Sequence, residues 1–151
     1  MRKGFRVWRT LFLSASFVIV FASVLNGVSA RRGDALYRGK EPLSGKIRGH
    51  DDLLPPEAIV CANCHSAKKT SRLSAQLAPR IDPALLLEMR QRHGGPPSRY
   101  DGRAFCRLLR TGSDPGYILI AREMPIYDLN DEQCTSLWTF LAGKENAHET
   151  R

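Results

Sequence analysis

The chain has 151 residues, enough for one domain with a hydrophobic core of its own. It carries 23 Lys and Arg residues against 15 Asp and Glu, but four of the cations precede residue 10, which leaves 19 against 15, or +4, for residues 31–151. Because these cations are scattered rather than gathered in one run, the composition argues against nucleic acid as a partner.

The first 30 residues have the three parts of a secretory signal peptide: a basic start, an apolar run and a small-residue site. The apolar run, residues 11–25, is shorter than the roughly 18 residues that a confident membrane span needs. The small-residue site is Val28-Ser29-Ala30. We therefore predict a signal peptide over residues 1–30. An uncleaved N-terminal anchor at the inner membrane is the alternative, and both place the domain, residues 31–143, in the periplasm.

The first part of the domain is predicted to be mostly loop. Residues 32–39 form a short helix that Gly39 closes. Residues 40–56 contain three prolines and two glycines and form a loop. Residues 66–79 are polar and basic without a clear period and form a second loop.

Between the two loops stands the sequence Cys61-Ala62-Asn63-Cys64-His65. Two cysteines separated by two residues, with a histidine directly after, form the pattern of c-type haem attachment. Cys61 and Cys64 lie about one helical turn apart, so both sulfurs can bond to the vinyl groups of one porphyrin. His65 then lies beside the second anchor, where its imidazole can bind the iron.

Three other chemistries use part of this pattern. A thioredoxin-like redox pair needs a βαβ surrounding, and the acidic, proline-broken stretch before Cys61 is unlike a buried parallel strand. A zinc site needs two further ligands at short spacing, which Cys106 and Cys134 do not provide. A disulfide between Cys61 and Cys64 leaves His65 unexplained. The sequence therefore favours haem attachment.

Three later helices are predicted, each between a capping residue and a glycine. They run from Asp82 to Gly94, from Asp101 to Gly112 and from Asn130 to Gly143. The last has a capping box with Gln133 and a buried stripe at helical spacing. Residues 144–151 are a polar tail. The sequence thus predicts an all-α domain of about four to five short helices with long loops and no sheet.

The second axial ligand decides whether a haem binds small molecules or moves electrons. The candidates are Met124, Met89, His50, His93 and His148. Met124 lies in an extended loop, 59 residues after His65, and Pro125 stiffens the backbone beyond it. Met89 is expected in a helix core and His93 at a helix end as a cap. His50 is expected in an exposed loop and His148 in the tail. We therefore predict Met124 as the ligand.

These motifs resemble class I monohaem c-type cytochromes over residues 32–143. The resemblance rests on Cys61-Ala62-Asn63-Cys64-His65, on Met124-Pro125-Ile126-Tyr127 and on Leu137-Trp138-Thr139-Phe140-Leu141. The segments Gly94 to Tyr100 and Leu109 to Gly112 are similar to cytochromes that accompany periplasmic dehydrogenases. The resemblance implies a cytochrome c-like bundle around one covalent haem c, with His65 and Met124 on the iron.

The resemblance also implies a function and two contacts. The protein is expected to be an electron carrier rather than an enzyme, with a periplasmic dehydrogenase as donor and a cytochrome or terminal oxidase as acceptor. The alternatives are a dedicated subunit of a dehydrogenase complex and a five-coordinate haem sensor or peroxidase. The carbonyl of Pro79 is expected to accept the second proton of the His65 imidazole. Gly33 is expected to pack against Trp138, where the first and last helices cross.

Two further features complete the predictions. Cys106 and Cys134 lie on neighbouring predicted helices, and in an oxidising compartment they are candidates for a disulfide, with two buried free thiols as the alternative. Just beyond the motif, three cations either steer an acidic redox partner or belong to a solvated loop. They are Lys68, Lys69 and Arg72.

Overall fold

The computed structural model describes residues 27–65 and 78–143. Most of its regular structure is helical and the helices are joined by loops, as the all-α prediction requires. The helices are α1 at 27–37, α2 at Cys61–His65, α3 at Pro83–Leu87, α4 at Gly102–Thr111 and α5 at Asp131–Ala142, with a 3-10 turn at Pro56–Ala58. Within the two described ranges no helix is long and apolar enough to cross a membrane.

Helix α1 includes the predicted cleavage point after Ala30 without a break. The apolar run of the predicted signal peptide, residues 11–25, lies outside the described residues, as do the cations at 68, 69 and 72 and the polar tail.

Two small antiparallel sheets correct the prediction of no sheet. Strand β1 at Gly45–Lys46 pairs with β4 at Ile126–Tyr127, and β2 at Arg90–Gln91 pairs with β3 at Pro97–Ser98. Strands of two residues are too short to leave an alternating pattern in the sequence. The first sheet has a consequence for the site, because it joins the loop before α2 to the segment that follows Met124.

The predicted starts of α4 and α5 are confirmed by their capping contacts. The Asp101 carboxylate accepts from the backbone N–H of Ala104 at 2.7 Å. Asn130 and Gln133 form the predicted capping box, with hydrogen bonds of 2.8 and 3.1 Å. Gly112 ends α4 at φ 73°, a backbone conformation that glycine adopts without a steric penalty.

The helix predicted from Asp82 to Gly94 is much shorter than expected, because α3 ends at Leu87. The guanidinium of Arg92 donates to the carbonyls of Leu85 at 2.7 Å and Glu88 at 3.1 Å, which satisfies the end of the helix from outside. The chain then turns back as the β2–β3 hairpin. The predictions for Met89 and His93 are therefore wrong: Met89 is 64% exposed and outside the helix, and His93 lies in the hairpin turn at φ 47°.

The core lies mainly between α4 and α5, with α1, α3 and β4 packed around it. Its most deeply buried apolar members include Leu36 of α1, Phe105 of α4 and Leu137 of α5. Cys106 and Cys134 are bonded to each other in the structure, with their Cα atoms 5.8 Å apart, so a disulfide joins α4 to α5.

The crossing of α1 and α5 is present, but the predicted partner of Gly33 is wrong. A Cβ atom on Gly33 would lie 2.6 Å from Cβ of Phe140 and would also strike the backbone of Ser136. Trp138 instead lies beside Gly102 and the ring of Phe105, whose centroid is 5.5 Å away. Two residues along a helix turn the side chain by about 200°, so Ser136 and Trp138 face different neighbours.

Candidate functional site

Helix α2 carries both cysteines and the histidine of the motif on five residues. The 3-10 turn before it is fixed by the burial of Ile59 in the core. The side-chain amide of Asn63 donates to the carbonyl of Glu57 at 2.8 Å and ties this turn to the helix. Residues three apart on a helix share a face, so the thiols of Cys61 and Cys64 are neighbours on one side of α2.

The two cysteines have different surroundings. Both are free thiols, but Cys61 is half-buried and Cys64 is exposed. Burial raises the pKa of the Cys61 thiol, and the nearby hydroxyl of Tyr127 opposes this with a smaller effect. A raised pKa keeps Cys61 protonated at neutral pH, which does not fit a catalytic thiolate.

His65 is held at both its side chain and its backbone. Its Nδ1 atom lies 2.7 Å from the carbonyl oxygen of Pro79, and the Tyr37 hydroxyl donates to the His65 carbonyl at 3.0 Å. Since a carbonyl oxygen can only accept, Nδ1 carries the proton and Nε2 keeps a free lone pair. Burial lowers the pKa of His65, against a smaller opposing effect of the Pro79 hydrogen bond. The imidazole is therefore neutral and has one nitrogen ready to bind a metal.

Met124 lies in the turn that leads through Pro125 into β4. Its backbone N–H donates to the carbonyl of Ala121 at 3.2 Å, which closes the turn. The side chain is half-buried and packs against the hydrophobic core, as do Cys61 and Ala62 of α2. The structure thus places the candidate thioether and the cysteine motif against one apolar core.

The other candidate ligands have different positions. Met89 is exposed. Nε2 of His50 accepts from the guanidinium of Arg122 at 2.6 Å, and Nδ1 of His93 lies 3.0 Å from the carboxylate of Asp114. His148 lies outside the described residues. Of the four candidates that the structure describes, Met124 alone is not largely exposed.

The described residues lend no support to the other chemistries. Within 27–65 and 78–143, no three His, Cys, Asp or Glu side chains are grouped so that they could hold a metal ion. The strand pairs there are antiparallel, so the βαβ surrounding of a thioredoxin-like pair is missing from them. Cys61 and Cys64 are not bonded to each other, although Cys106 and Cys134 are.

Two residues of the site were not assigned their roles from the sequence. Tyr37 was placed only within a predicted helix, and Tyr127 entered only through the Met-Pro motif. Their hydroxyls contact His65 and Cys61, across 28 and 66 residues of chain. Burial raises the pKa of both tyrosines, so both remain neutral donors. No local pattern in a sequence marks a hydrogen bond of this range.

Comparison with protein-family models, with curated proteins and with solved structures finds no match to this chain. The site is therefore interpreted from its own residues.

Proposed function

We propose that the chain is an exported electron-transfer protein with one c-type haem. Cys61 and Cys64 would bond to the porphyrin, and His65 and Met124 would bind the iron. The observation that carries this proposal is the hydrogen bond from Nδ1 of His65 to the Pro79 carbonyl, because it leaves Nε2 unprotonated on a neutral imidazole that shares one short helix with two free thiols.

The residues of the site meet the chemical requirements of a covalently bound haem. Thioether formation needs two free thiols at the spacing of one helical turn, and α2 carries both. A proximal ligand needs a fixed tautomer and a fixed ring, and the Pro79 carbonyl supplies both. When bound, the haem supplies one-electron chemistry between ferric and ferrous iron.

The chain's own residues then have distinct tasks. Pro79 and Tyr37 hold the imidazole and the backbone of His65, so the ligand moves little when the iron changes charge. The soft sulfur of Met124 favours ferrous iron and raises the reduction potential relative to a second histidine. The hydroxyl of Tyr127 lies against the sulfur of Cys61, which becomes a thioether sulfur after attachment.

The proposal includes a cytochrome c-like arrangement of the helices, transport to the periplasm, and redox proteins as partners. A periplasmic dehydrogenase is the proposed donor, and a cytochrome or terminal oxidase is the proposed acceptor. The alternative role, a dedicated subunit of a dehydrogenase complex, would use the same site. Co-purification of the chain with an enzyme would distinguish that role from a free electron carrier.

The experiment is expression of the full-length chain in bacteria that export and mature c-type cytochromes. We expect a reduced-minus-oxidised absorption spectrum of a six-coordinate haem, and pigment that stays with the polypeptide after acid-acetone extraction. Cys61→Ser with Cys64→Ser is expected to lose the pigment. Cys106→Ser with Cys134→Ser is the matched control, since it removes two cysteines but keeps the haem.

Two outcomes would overturn the proposal. The wild-type chain could be exported without any pigment, or the pigment could survive extraction in the Cys61→Ser, Cys64→Ser variant. Carbon monoxide binding to the reduced protein at neutral pH would instead favour the five-coordinate sensor or peroxidase.

A further inference from the structure

The excess positive charge of the exported part of the chain is concentrated in one segment. Residues 88–110 hold six arginines and two acidic residues, a balance of +4. Residues 31–151 as a whole have the same net charge, with 19 cations against 15 acidic residues. The part of this range outside residues 88–110 therefore has no net charge. This segment forms the β2–β3 hairpin and helix α4, which lie apart from α2 in the sequence.

Three arginines of helix α4 lie on the side of the helix that faces away from the core. Arg103, Arg107 and Arg110 stand at i, i+4 and i+7, opposite the buried face. The buried face consists of Ala104, Phe105, Leu108 and Leu109. Arg110 is engaged, because its guanidinium pairs with Asp131 at 2.6 Å and donates to the carbonyl of Leu129. Arg103 and Arg107 have no carboxylate partner among the described residues.

The position of Arg103 has no explanation in the stability of the helix. It lies in the first turn of α4, where the helix dipole favours acidic side chains and disfavours cations. Its side chain is exposed. A residue that breaks a local rule without a compensating contact marks a candidate for function.

Arg107 is held in place by neutral groups, so its charge is not cancelled. Its guanidinium lies 4.1 Å from the ring centroid of Tyr117 and donates to the backbone carbonyl of Asp114 at 3.1 Å. Tyr117 itself is 73% exposed and has φ 62°, a strained conformation for a bulky residue. The half-buried guanidinium of Arg107, whose Nε atom is itself buried, is thus fixed against an exposed aromatic ring.

The carboxylates nearest to this surface have other tasks. The side chain of Asp101 caps α4 through the N–H of Ala104. The carboxylate of Asp114 is buried and is held by His93 at 3.0 Å and by the N–H of Ile118 at 2.9 Å. Neither carboxylate forms an ion pair with Arg103 or Arg107 within the part of the chain that the structure describes.

We propose that Arg103, Arg107 and Tyr117, the arginine–tyrosine face, dock the acidic surface of a partner protein. Arg and Tyr are the residue types that dominate the energy of protein–protein interfaces. Arginine also binds carboxylates through two parallel hydrogen bonds, and fixing it beforehand reduces the entropy lost on binding. The face itself has two cations, fewer than the about four to eight that polybasic lipid-binding segments cluster. The face does not contain the haem motif, so this proposal stands apart from the electron-transfer proposal.

The experiment measures binding of a fluorescein-labelled peptide rich in Glu and Asp to the full-length protein, by fluorescence anisotropy over a range of salt concentrations. Arg103→Gln with Arg107→Gln is expected to weaken binding by at least about tenfold. The control is Arg31→Gln with Lys40→Gln, which removes the same charge from exposed cations in or just after α1 and is expected to change binding less than about twofold. Thermal unfolding verifies that each variant folds.

Two further variants distinguish a specific effect of the arginine–tyrosine face from a general effect of the protein's net charge. Arg103→Gln by itself changes an exposed side chain that has no hydrogen bond or ion pair with the other described residues, so it tests the proposal even if the double variant unfolds. Arg107→Lys keeps the charge but loses the planar fork and is expected to weaken peptide binding. Equal losses in the α4 and α1 double variants would overturn the proposal. So would arginine-dependent binding to phosphatidylglycerol vesicles without binding to the peptide, which would make the face a membrane surface.

Discussion

The Nδ1 atom of His65 donates to the carbonyl oxygen of Pro79 at 2.7 Å, 14 residues further along the chain. This is the contact that the resemblance to class I cytochromes implies for a proximal ligand. Because the acceptor is a backbone atom, side-chain substitution cannot remove it, whereas the second contact that fixes His65 can be removed.

That second contact is the hydrogen bond from the hydroxyl of Tyr37 to the His65 carbonyl. Tyr37→Phe keeps the buried ring and removes only the donor, so the unfolding free energy should fall by about 1 kcal/mol. Urea denaturation measures this loss. The control is Tyr117→Phe, whose hydroxyl is on an exposed side chain and whose removal should cost less than about 0.5 kcal/mol. Equal effects would show that the Tyr37 hydroxyl does not stabilise the site.

Met124→Ala tests the sixth ligand. Loss of the thioether should abolish the weak sulfur-to-iron charge-transfer band and lower the reduction potential, by a sizeable part of the ~0.8 V range that axial ligands cover. Redox titration with absorption spectroscopy measures both. Met89→Ala is the matched control, because Met89 is 64% exposed and its loss should leave the band and the potential unchanged. An unchanged spectrum in Met124→Ala would assign the ligand elsewhere.

The disulfide between Cys106 and Cys134 should stabilise the domain by roughly 3–4 kcal/mol in the chain-entropy description, since it closes a span of 28 residues. Cys106→Ser with Cys134→Ser should lower the denaturant midpoint by a corresponding amount. A reducing agent should lower the midpoint of the wild type but not that of the variant. Alkylation of the unfolded, unreduced haem protein should label neither cysteine, and labelling of both would contradict the bond.

Gly33→Ala tests the crossing of α1 and α5. The added methyl group would collide with Phe140 and the Ser136 backbone, and overpacking of this kind costs about 1–3 kcal/mol. The control is Gly143→Ala at the end of α5, where φ is −78° and no atom lies within 4 Å of the new Cβ, so the alanine should be neutral or slightly stabilising. The two unfolding free energies measure the difference. Similar unfolding free energies for the two variants would mean that α1 and α5 move apart at no cost in stability.

The ion pair between Glu41 and Arg32 should make stability depend on acid. Hydrogen bonds from Arg32 lower the pKa of Glu41 below its usual 4.5, so the pair stabilises the fold above that pH and the stabilisation is lost as pH falls through the lowered pKa. Glu41→Gln should therefore reduce the free energy of unfolding at pH 7 by up to about 1 kcal/mol, and so lower the melting temperature at that pH but not in strong acid. Glu57→Gln, at an exposed carboxylate, is the control.

Local sequence patterns predicted the structural features that depend only on neighbouring residues. The caps at Asp101 and Asn130 and the terminator at Gly112 have the predicted geometry, since a helix start or end is decided within about four residues. The spacing of Cys61, Cys64 and His65 predicts haem attachment from neighbouring residues alone, and this stays a prediction. The pairing of Cys106 with Cys134 could be offered only as a candidate, because it depends on how two helices pack.

The tertiary structure decided everything that joins distant residues. It ended α3 at Leu87, where the Arg92 side chain replaced the helical hydrogen bonds that continuation would have made. It gave Gly33 a neighbour other than Trp138, because the rotation of α5 about its axis is fixed by the whole core. It also placed the Tyr37 hydroxyl on His65 and set Arg107 above Tyr117. The Arg92 contacts span at most seven residues and the Arg107 contact spans ten, whereas the contact between Tyr37 and His65 spans 28, but each depends on how the whole chain packs.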